Sequence, residues 1–338
     1  MAQAAEGEMT FDPERGSPPG SRRRVAVVVL RWGVTLAIVM AVAQRVWLEK
    51  EKLAAYNLHL APAWLVISAG FYILGLATCA LFWWLAMRDL GGRPSGTSTL
   101  AAYYAGHLGK YVPGKALTVV VRSTMVRGPK VTIALAAFTD VLETALMMAT
   151  GALVAALAFA LIDAPAHRQL LGIAVVLAIG LGLLTLPPVV ARFGKLLSRV
   201  VPQLAAAQAQ TCRWRTVAVG AAIMAVGWLL MGLSLAALLG AMGDAGGVVG
   251  HLHFLRMLSL LTAIVAFSTV GGFVSFIPGG LGAREWLLLE LLKPYIGPAQ
   301  AIVAAVLLRL VWMVAEVGAA GLFWLLDSPW KRRQVRLS

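Results

Sequence analysis

The chain has 338 residues, of which 60% are hydrophobic and only 13% are charged, and its formal net charge is +14. Because roughly 25% of the residues of a soluble domain are charged, this composition excludes a soluble globular protein. Repeated apolar runs, each long enough for a hydrocarbon core of about 30 Å, predict an all-α polytopic membrane protein. The basic residues collect at alternate ends of these runs instead of forming one stripe, which argues against nucleic-acid binding.

In chain order, the sequence predicts a disordered polar tail at residues 1–24, an integral membrane domain at 25–327 and a basic tail at 328–338. Full spans are predicted at 25–46, 63–87, 131–162, 169–190, 216–242 and 299–326. Two further apolar regions, 97–126 and 254–297, contain Pro-Gly breaks. Each is predicted either to enter the bilayer and return or to form two short crossings, and an alternative fold of the whole chain has eight spans.

The distribution of lysine and arginine predicts that both termini are cytoplasmic. With the N-terminus inside, the inner segments (1–24, 88–96, 122–130, 191–215 and 327–338) hold eighteen of these residues. The outer segments hold six, which are Arg45, Lys50, Lys52, Arg168, Arg256 and Lys293. This excess is typical of a multi-pass protein of the cell (inner) membrane. Arg192, Lys195 and Arg199 lie on one face of a predicted interfacial helix between the two halves.

Two short motifs interrupt apolar regions: GKYVPGK at residues 109–115 and FIPGGLGARE at 276–285. Their Tyr-Val-Pro-Gly and Phe-Ile-Pro-Gly cores are similar and enter from opposite sides in the predicted topology, which indicates an inverted repeat. Proline lacks an N–H and glycine leaves the helix easily. The chain is therefore predicted to break its helices at Gly109, Pro113, Gly114, Pro278, Gly279, Gly280 and Gly282.

The first motif also fits the pattern of a nucleotide phosphate loop, but this interpretation fails on two counts. Ala116 stands where a Ser or Thr would bind magnesium, and no strand precedes the motif. The two cysteines and five scattered histidines predict neither a disulfide nor a metal site. We therefore expect no cofactor and no metal.

Charged residues accompany both breaks. The half-helix after each break presents the positive end of its dipole, which favours an anion such as phosphate. Lys110 and Lys115 flank the first break and Arg284 follows the second, so these three cations are predicted to form a site for an anionic headgroup. The alternative is that the lysines reach the cytoplasmic edge and the glycines only allow tight packing. Glu285 is predicted to cap free N–H groups of its half-helix or to act in function.

Further charged residues lie inside predicted spans. Asp140 and Glu143 share one helix face, and Arg309 and Glu316 share another. Ionisable groups at membrane depth are costly, so they usually face the interior and mark a pathway. The alternative is a structural ion pair between Arg309 and an acid of another helix.

These residues give the chain a resemblance to the transmembrane region of lysylphosphatidylglycerol synthases and to the larger flippase-like family built from that region. The resemblance rests on GKYVPGK, Glu143, FIPGGLGARE and Arg309, and it extends over about residues 25–327. By this resemblance, the motif positions of the family correspond to the following residues of this chain: Gly109, Lys110, Pro113, Gly114, Lys115, Glu143, Pro278, Gly279, Gly280, Gly282, Arg284, Glu285 and Arg309. The sequence ends shortly after the last predicted span, so we expect no aminoacyl-transfer domain and no synthesis of lysyl lipid.

The resemblance implies that the chain translocates an anionic or polyprenyl-linked phospholipid between leaflets and is not an enzyme. Lys110, Lys115, Arg284 and Arg309 would bind the headgroup, and Asp140, Glu143, Glu285 and Glu316 would balance charge or carry a coupling proton. One alternative is a non-transporting membrane partner of a glycosyltransferase or lipid-modifying enzyme. Another is a membrane-embedded transferase that uses Asp140 and Glu143.

Overall fold

The computed structural model describes residues 60–111, 116–162, 168–199, 212–243, 253–275, 280 and 282–326. Within these ranges all regular secondary structure is helical. The α-helices are α1 (Pro62–Asp89), α2 (Gly96–His107), α3 (Ala116–Met125), α4 (Ile133–Ile162), α5 (Arg168–Thr185), α6 (Pro187–Ser198), α7 (Trp214–Ala241), α8 (Phe254–Val274), α9 (Ala283–Ile296) and α10 (Pro298–Leu326). A 3-10 helix, Leu108–Tyr111, follows α2 directly.

Six of these helices, α1, α4, α5, α7, α8 and α10, are long and apolar enough to cross a membrane. They confirm the predicted all-α polytopic fold. Five correspond to predicted full spans, whereas the predicted span 25–46 and both predicted tails lie outside the described residues. The sixth, α8, is the first limb of the second broken region. Its 21 residues measure about 31 Å at 1.5 Å per residue, so this limb is long enough to cross the hydrocarbon core.

The predicted fourth span is wrong at its C-terminal end. α5 ends at Thr185, because Pro187 begins a new helix, and a proline in the first turn leaves no helical hydrogen bond unmade. That new helix, α6, exposes Arg192 and Lys195 together with the apolar Phe193. Exposed basic and apolar side chains on one short helix are typical of a segment at the membrane interface.

The first broken region forms a hairpin that enters and leaves at one end of the helix bundle. Its limbs, α2 and α3, have 12 and 10 residues, so at roughly 18 and 15 Å they are too short to cross a membrane. The backbone N–H of Arg127, after α3, donates to Ser98 Oγ, near the start of α2, at 2.7 Å. Gly106 lets the limbs pack closely, since a Cβ there would lie 2.3 Å from Arg122 Cγ.

The second broken region forms a hairpin of α8 and α9, and its limbs also pack closely. A Cβ on Gly272 would lie 2.9 Å from Arg284 Cβ. α9 ends next to Gly297, and α10 begins immediately afterwards. The second hairpin therefore opens at the N-terminal end of α10.

The two hairpins open at opposite ends of the bundle, as the sequence predicts. Tyr104 stacks on Phe323 with ring centroids 5.0 Å apart, and Lys110 contacts Glu316. The chain runs inward from residue 104 in α2 to residue 110 in the 3-10 helix. Over the same stretch its contacts on α10 shift from residue 323 to residue 316, toward the N-terminus of α10. α2 is therefore antiparallel to α10, and the first hairpin opens at the C-terminal end of α10.

Two buried indoles of the bundle are hydrogen-bonded, and the exterior of the bundle is apolar. The buried indoles of Trp83 and Trp228 donate their N–H groups to the carbonyls of Ala136 at 3.2 Å and Met147 at 3.1 Å. α5 exposes large apolar residues such as Val176, which is 69% accessible. An apolar outer surface of this kind suits a lipid environment.

Candidate functional site

The inner ends of the two hairpins meet on one face of α10. Trp312 is the middle residue of this 29-residue helix, and Arg309, Trp312 and Glu316 follow one another on its buried face at 9%, 2% and 1% exposure. From the first hairpin, Lys110 reaches this face, and from the second hairpin Arg284 reaches it. The site thus lies at half the length of a spanning helix, far from both of its ends.

Side chains from three different helices contact the carboxylate of Glu316. Lys110 Nζ of the 3-10 helix lies 2.5 Å from Glu316 Oε1, and His107 Nε2 of α2 lies 3.6 Å from the same oxygen. The hydroxyl of Tyr72 on α1 also donates to it. Three donors around one carboxylate stabilise a negative charge that would otherwise be costly at this depth.

Arg284 lies against aromatic rings instead of a carboxylate. Its guanidinium is 4.2 Å from the ring centroid of Trp312, and Tyr72 stacks on Trp312 at 3.9 Å with an interplanar angle of 10°. Among the described residues, no carboxylate is within ion-pair distance of Arg284. An arginine in this position keeps its hydrogen-bond donors available for an anion while the indole stabilises its charge.

The break before α9 is built from glycines and a glutamate cap. Gly280 and Gly282 have φ values of +65° and +84°, the left-handed region that favours glycine. Glu285 Oε2 accepts from the N–H of Gly282 at 2.7 Å, so the predicted capping contact is present. Glu285 Oε1 also lies 3.4 Å from Arg309 Nη1, which is the ion pair with another helix that the sequence left open for Arg309.

A second buried cluster lies nearer the open end of the first hairpin. Arg122 Nη1 of α3 is 2.6 Å from Asp140 Oδ1 and 3.3 Å from Glu143 Oε2 of α4. Tyr103 donates its hydroxyl to Glu143 at 3.0 Å, and its ring lies 3.7 Å from the guanidinium carbon of Arg122. Arg122, Asp140 and Glu143 are all at most 3% exposed, so the predicted shared face of the two acids serves a buried ion-pair cluster.

His107 connects the two clusters. Its Nδ1 lies 3.1 Å from Arg122 Nη2, and its Nε2 faces Glu316. An arginine can only donate hydrogen bonds, so Nδ1 must accept in this contact. The neutral imidazole therefore carries its proton on Nε2, the nitrogen that faces Glu316.

Sequence reasoning missed four of these residues: Tyr72, Tyr103, His107 and Arg122. Arg122 was counted among the cytoplasmic cations, whereas its side chain is buried in the protein. A signal for it existed, because two acids inside an apolar span require a nearby cation, and Arg122 is the only one between residues 116 and 126. Five predicted site residues lie outside the described residues: Pro113, Gly114, Lys115, Pro278 and Gly279. Gly109 packs against Thr118, where a Cβ would lie 3.0 Å from the Thr118 nitrogen.

The site offers charges and aromatic rings but no set of metal ligands. In the part of the chain that the structure describes, no group of three His, Cys, Asp or Glu residues could hold a metal ion. Lys110, Arg284 and Arg309 are close enough to repel one another electrostatically, and their described carboxylate partners are Glu285 and Glu316. Among the described residues, these three cations therefore face two carboxylates, and an excess of positive charge of this kind suits a bound anion.

A protein-family model matches most of the chain. The family model described as "Lysylphosphatidylglycerol synthase TM region" matches residues 25–318. No curated protein matches the chain. The matched range contains both hairpins, α10 up to residue 318 and therefore both charge clusters.

Proposed function

The chain belongs to the family of the lysylphosphatidylglycerol synthase transmembrane region, and on that premise we propose that it moves an anionic or polyprenyl-linked phospholipid between the leaflets of a membrane. It is a multi-pass membrane protein with six candidate spans. The proposed cargo keeps its acyl or prenyl tails in the bilayer while its phosphate group occupies the site on α10. The protein acts as a transporter and not as an enzyme.

One observation carries this proposal: Arg284 lies where the two hairpins meet, with no carboxylate at ion-pair distance among the described residues. A cation at this depth in a membrane protein is normally paired, because an uncompensated charge there is costly. An incoming phosphate would supply the missing negative charge and accept two hydrogen bonds from the guanidinium. The hairpins open at opposite ends of the bundle, so a headgroup at this position can be approached from either leaflet.

The contacts of Asp140 and Glu143 support transport over catalysis. Arg122 binds both carboxylates, and Tyr103 donates to Glu143. A general acid or base must reach its substrate at hydrogen-bond distance, whereas these two acids are enclosed by their own partners. We assign them a charge-balancing role that holds the first hairpin against α4.

A reconstitution assay tests the proposal. Purified protein in liposomes is expected to bring labelled phosphatidylglycerol or a labelled polyprenyl phosphate to both leaflets, and to move phosphatidylcholine more slowly. Dithionite quenching of the outer-leaflet label measures the exchange, and protein-free liposomes give the background. Failure to move any lipid of the panel would contradict transport and favour the alternative, a non-transporting partner of a glycosyltransferase or lipid-modifying enzyme.

We further propose that both termini are cytoplasmic. Among the described residues, the end of the bundle where the first hairpin opens exposes nine basic side chains: Arg88, Arg93, Arg127, Lys130, Arg192, Lys195, Arg199, Arg213 and Arg215. The opposite end exposes Arg168 and Arg256. An excess of positive charge marks the cytoplasmic side of a multi-pass protein, which puts the first hairpin on the cytoplasmic side and the second on the outer side.

Single-cysteine labelling tests this orientation. Ser95 and His253 precede the first limbs of the two hairpins and both are exposed. In a background without Cys79 and Cys212, a membrane-impermeant maleimide is expected to label His253→Cys on intact cells and Ser95→Cys only after permeabilisation. Labelling of both positions in intact cells, or the reverse pattern, would overturn the orientation.

A further inference from the structure

We propose that Glu316 is a proton-binding site, and that a proton taken up there releases Lys110 to the lipid phosphate, so that lipid movement is coupled to proton movement. This inference rests on the proposed function and deepens it by naming the energy source. It also selects one of the acids that the sequence left open as proton carriers, since Asp140 and Glu143 are committed to Arg122.

The Glu316 carboxylate occupies the position that a bound anion would take. It contacts Lys110 Nζ at 2.5 Å and is joined there by Tyr72 and His107. These are cationic and hydrogen-bonding groups of the kind that bind a phosphate. A lipid phosphate that approaches Arg284 therefore competes with Glu316 for the same donors.

Competition between two anions links lipid binding to proton binding. A phosphate next to Glu316 repels its negative charge and withdraws Lys110 from it, and both effects favour protonation of the carboxylate. By reciprocity, protonation of Glu316 favours binding of the phosphate by the same factor. Among the described residues, the charged and titratable groups around Glu316 include Tyr72 on α1, His107 on α2, Lys110 on the 3-10 helix, Arg284 on α9 and Arg309 on α10 itself.

His107 provides the contact through which the proton reaches Glu316. Because Arg122 donates to Nδ1, the imidazole proton lies on Nε2 and faces the Glu316 carboxylate at 3.6 Å. When Nδ1 leaves Arg122 and takes up a proton from water, the resulting imidazolium passes its Nε2 proton to Glu316 and becomes a neutral imidazole again, and release follows the reverse route. Each cycle thus converts one carboxylate to a carboxylic acid and back, with no other reactant than H⁺.

The coupling predicts an electrically neutral loaded state. A headgroup with one negative charge, moved together with one proton, carries no net charge across the membrane. Movement of an uncompensated charge would respond to the membrane potential by about 2.3 kcal/mol per 100 mV. Transport of phosphatidylglycerol is therefore expected to depend on a pH gradient and not on the membrane potential.

Proteoliposomes with labelled phosphatidylglycerol test the inference. With one coupled proton, the wild-type rate is expected to change by up to about tenfold per unit of imposed pH gradient, and to stay constant when valinomycin and K⁺ set the potential. Pyranine inside the liposomes should report one proton moved per lipid. Glu316→Gln is expected to remove the dependence on the pH gradient, whereas Glu290→Gln, which removes a carboxylate of the Glu290–Lys293 surface pair, should retain it.

The outcomes separate this inference from the proposed function. Lipid movement by the wild type without any response to the pH gradient would overturn the proton site and leave transport intact. A wild-type response that persists in Glu316→Gln would assign the proton to another group. If Glu316→Gln does not fold, the pyranine measurement on the wild type decides, because lipid movement without proton movement contradicts the coupling.

Discussion

Replacement of Arg122 by methionine is expected to lower the free energy of unfolding by about 3–5 kcal/mol, because it leaves two buried carboxylates without their cation. Asp140 and Glu143 lie 2.6 and 3.3 Å from the guanidinium and are each 1% exposed. The remaining contacts, from Tyr103 and Thr144, both go to Glu143 and can stabilise only one of the two charges. The hairpin of α2 and α3 should then separate from α4. The midpoint of SDS-induced unfolding in mixed micelles measures the loss.

Two further variants distinguish charge from packing at this cluster. Arg127→Met removes an exposed arginine five residues away and should change the free energy of unfolding by less than about 0.5 kcal/mol. The triple variant Arg122→Met with Asp140→Asn and Glu143→Gln removes all three charges and should recover most of the stability. If Arg122→Met unfolded at the same SDS fraction as the wild type, the cluster would have no part in holding the hairpin.

The sequence predicts the spans and the breaks well, since both depend on local chemistry. A run of apolar residues longer than the hydrocarbon core must cross or be buried, and a Pro-Gly pair ends a helix wherever it occurs. The prediction that the hairpins open at opposite ends also holds. It depended only on the parity of the spans and on the charge of the loops.

The sequence does not predict which charges neutralise one another, since this depends on contacts between distant segments. Lys110 and Glu316 are 206 residues apart and meet only because α2 packs antiparallel to α10. Arg122 was counted as a loop residue because a count along the chain cannot distinguish a loop from the limb of a hairpin that folds back inside. Of the four predicted headgroup cations, Lys110 and Arg309 face carboxylates, Lys115 lies outside the described residues, and Arg284 lies on an indole ring.

The contacts of Glu285 also explain why its two predicted roles, capping of the half-helix and a part in function, do not exclude each other. One carboxylate oxygen caps the N–H of Gly282, and the other faces Arg309. The cap holds α9 in the orientation that presents Arg284 to Trp312, and the ion pair fixes α9 against α10. Glu285 therefore fixes the backbone at the break before α9 and also positions Arg284, the cation next to it.

Replacement of Arg284 by glutamine is expected to reduce lipid movement by roughly 10- to 150-fold while the protein remains folded. A hydrogen bond to a charged group contributes about 1.5–3 kcal/mol, and each 1.4 kcal/mol is a factor of about ten. Unlike Arg122, Arg284 has no carboxylate at ion-pair distance among the described residues, so its removal leaves no orphaned acid. The SDS midpoint should therefore stay close to that of the wild type.

Arg284→Lys and Arg199→Gln complete the comparison. Lysine keeps the positive charge but loses the planar two-pronged contact with a phosphate and the stacking on Trp312, so partial activity is expected. Arg199 is an exposed cation next to α6, and its change to glutamine should not affect transport. Rates of lipid movement, normalised to folded protein, are expected to fall in a fixed order. The wild type and Arg199→Gln should be fastest, Arg284→Lys should be slower, and Arg284→Gln should be slowest. Lipid movement by Arg284→Gln at the wild-type rate would show that the charge at the break only contributes to packing, and the headgroup site would have to lie elsewhere.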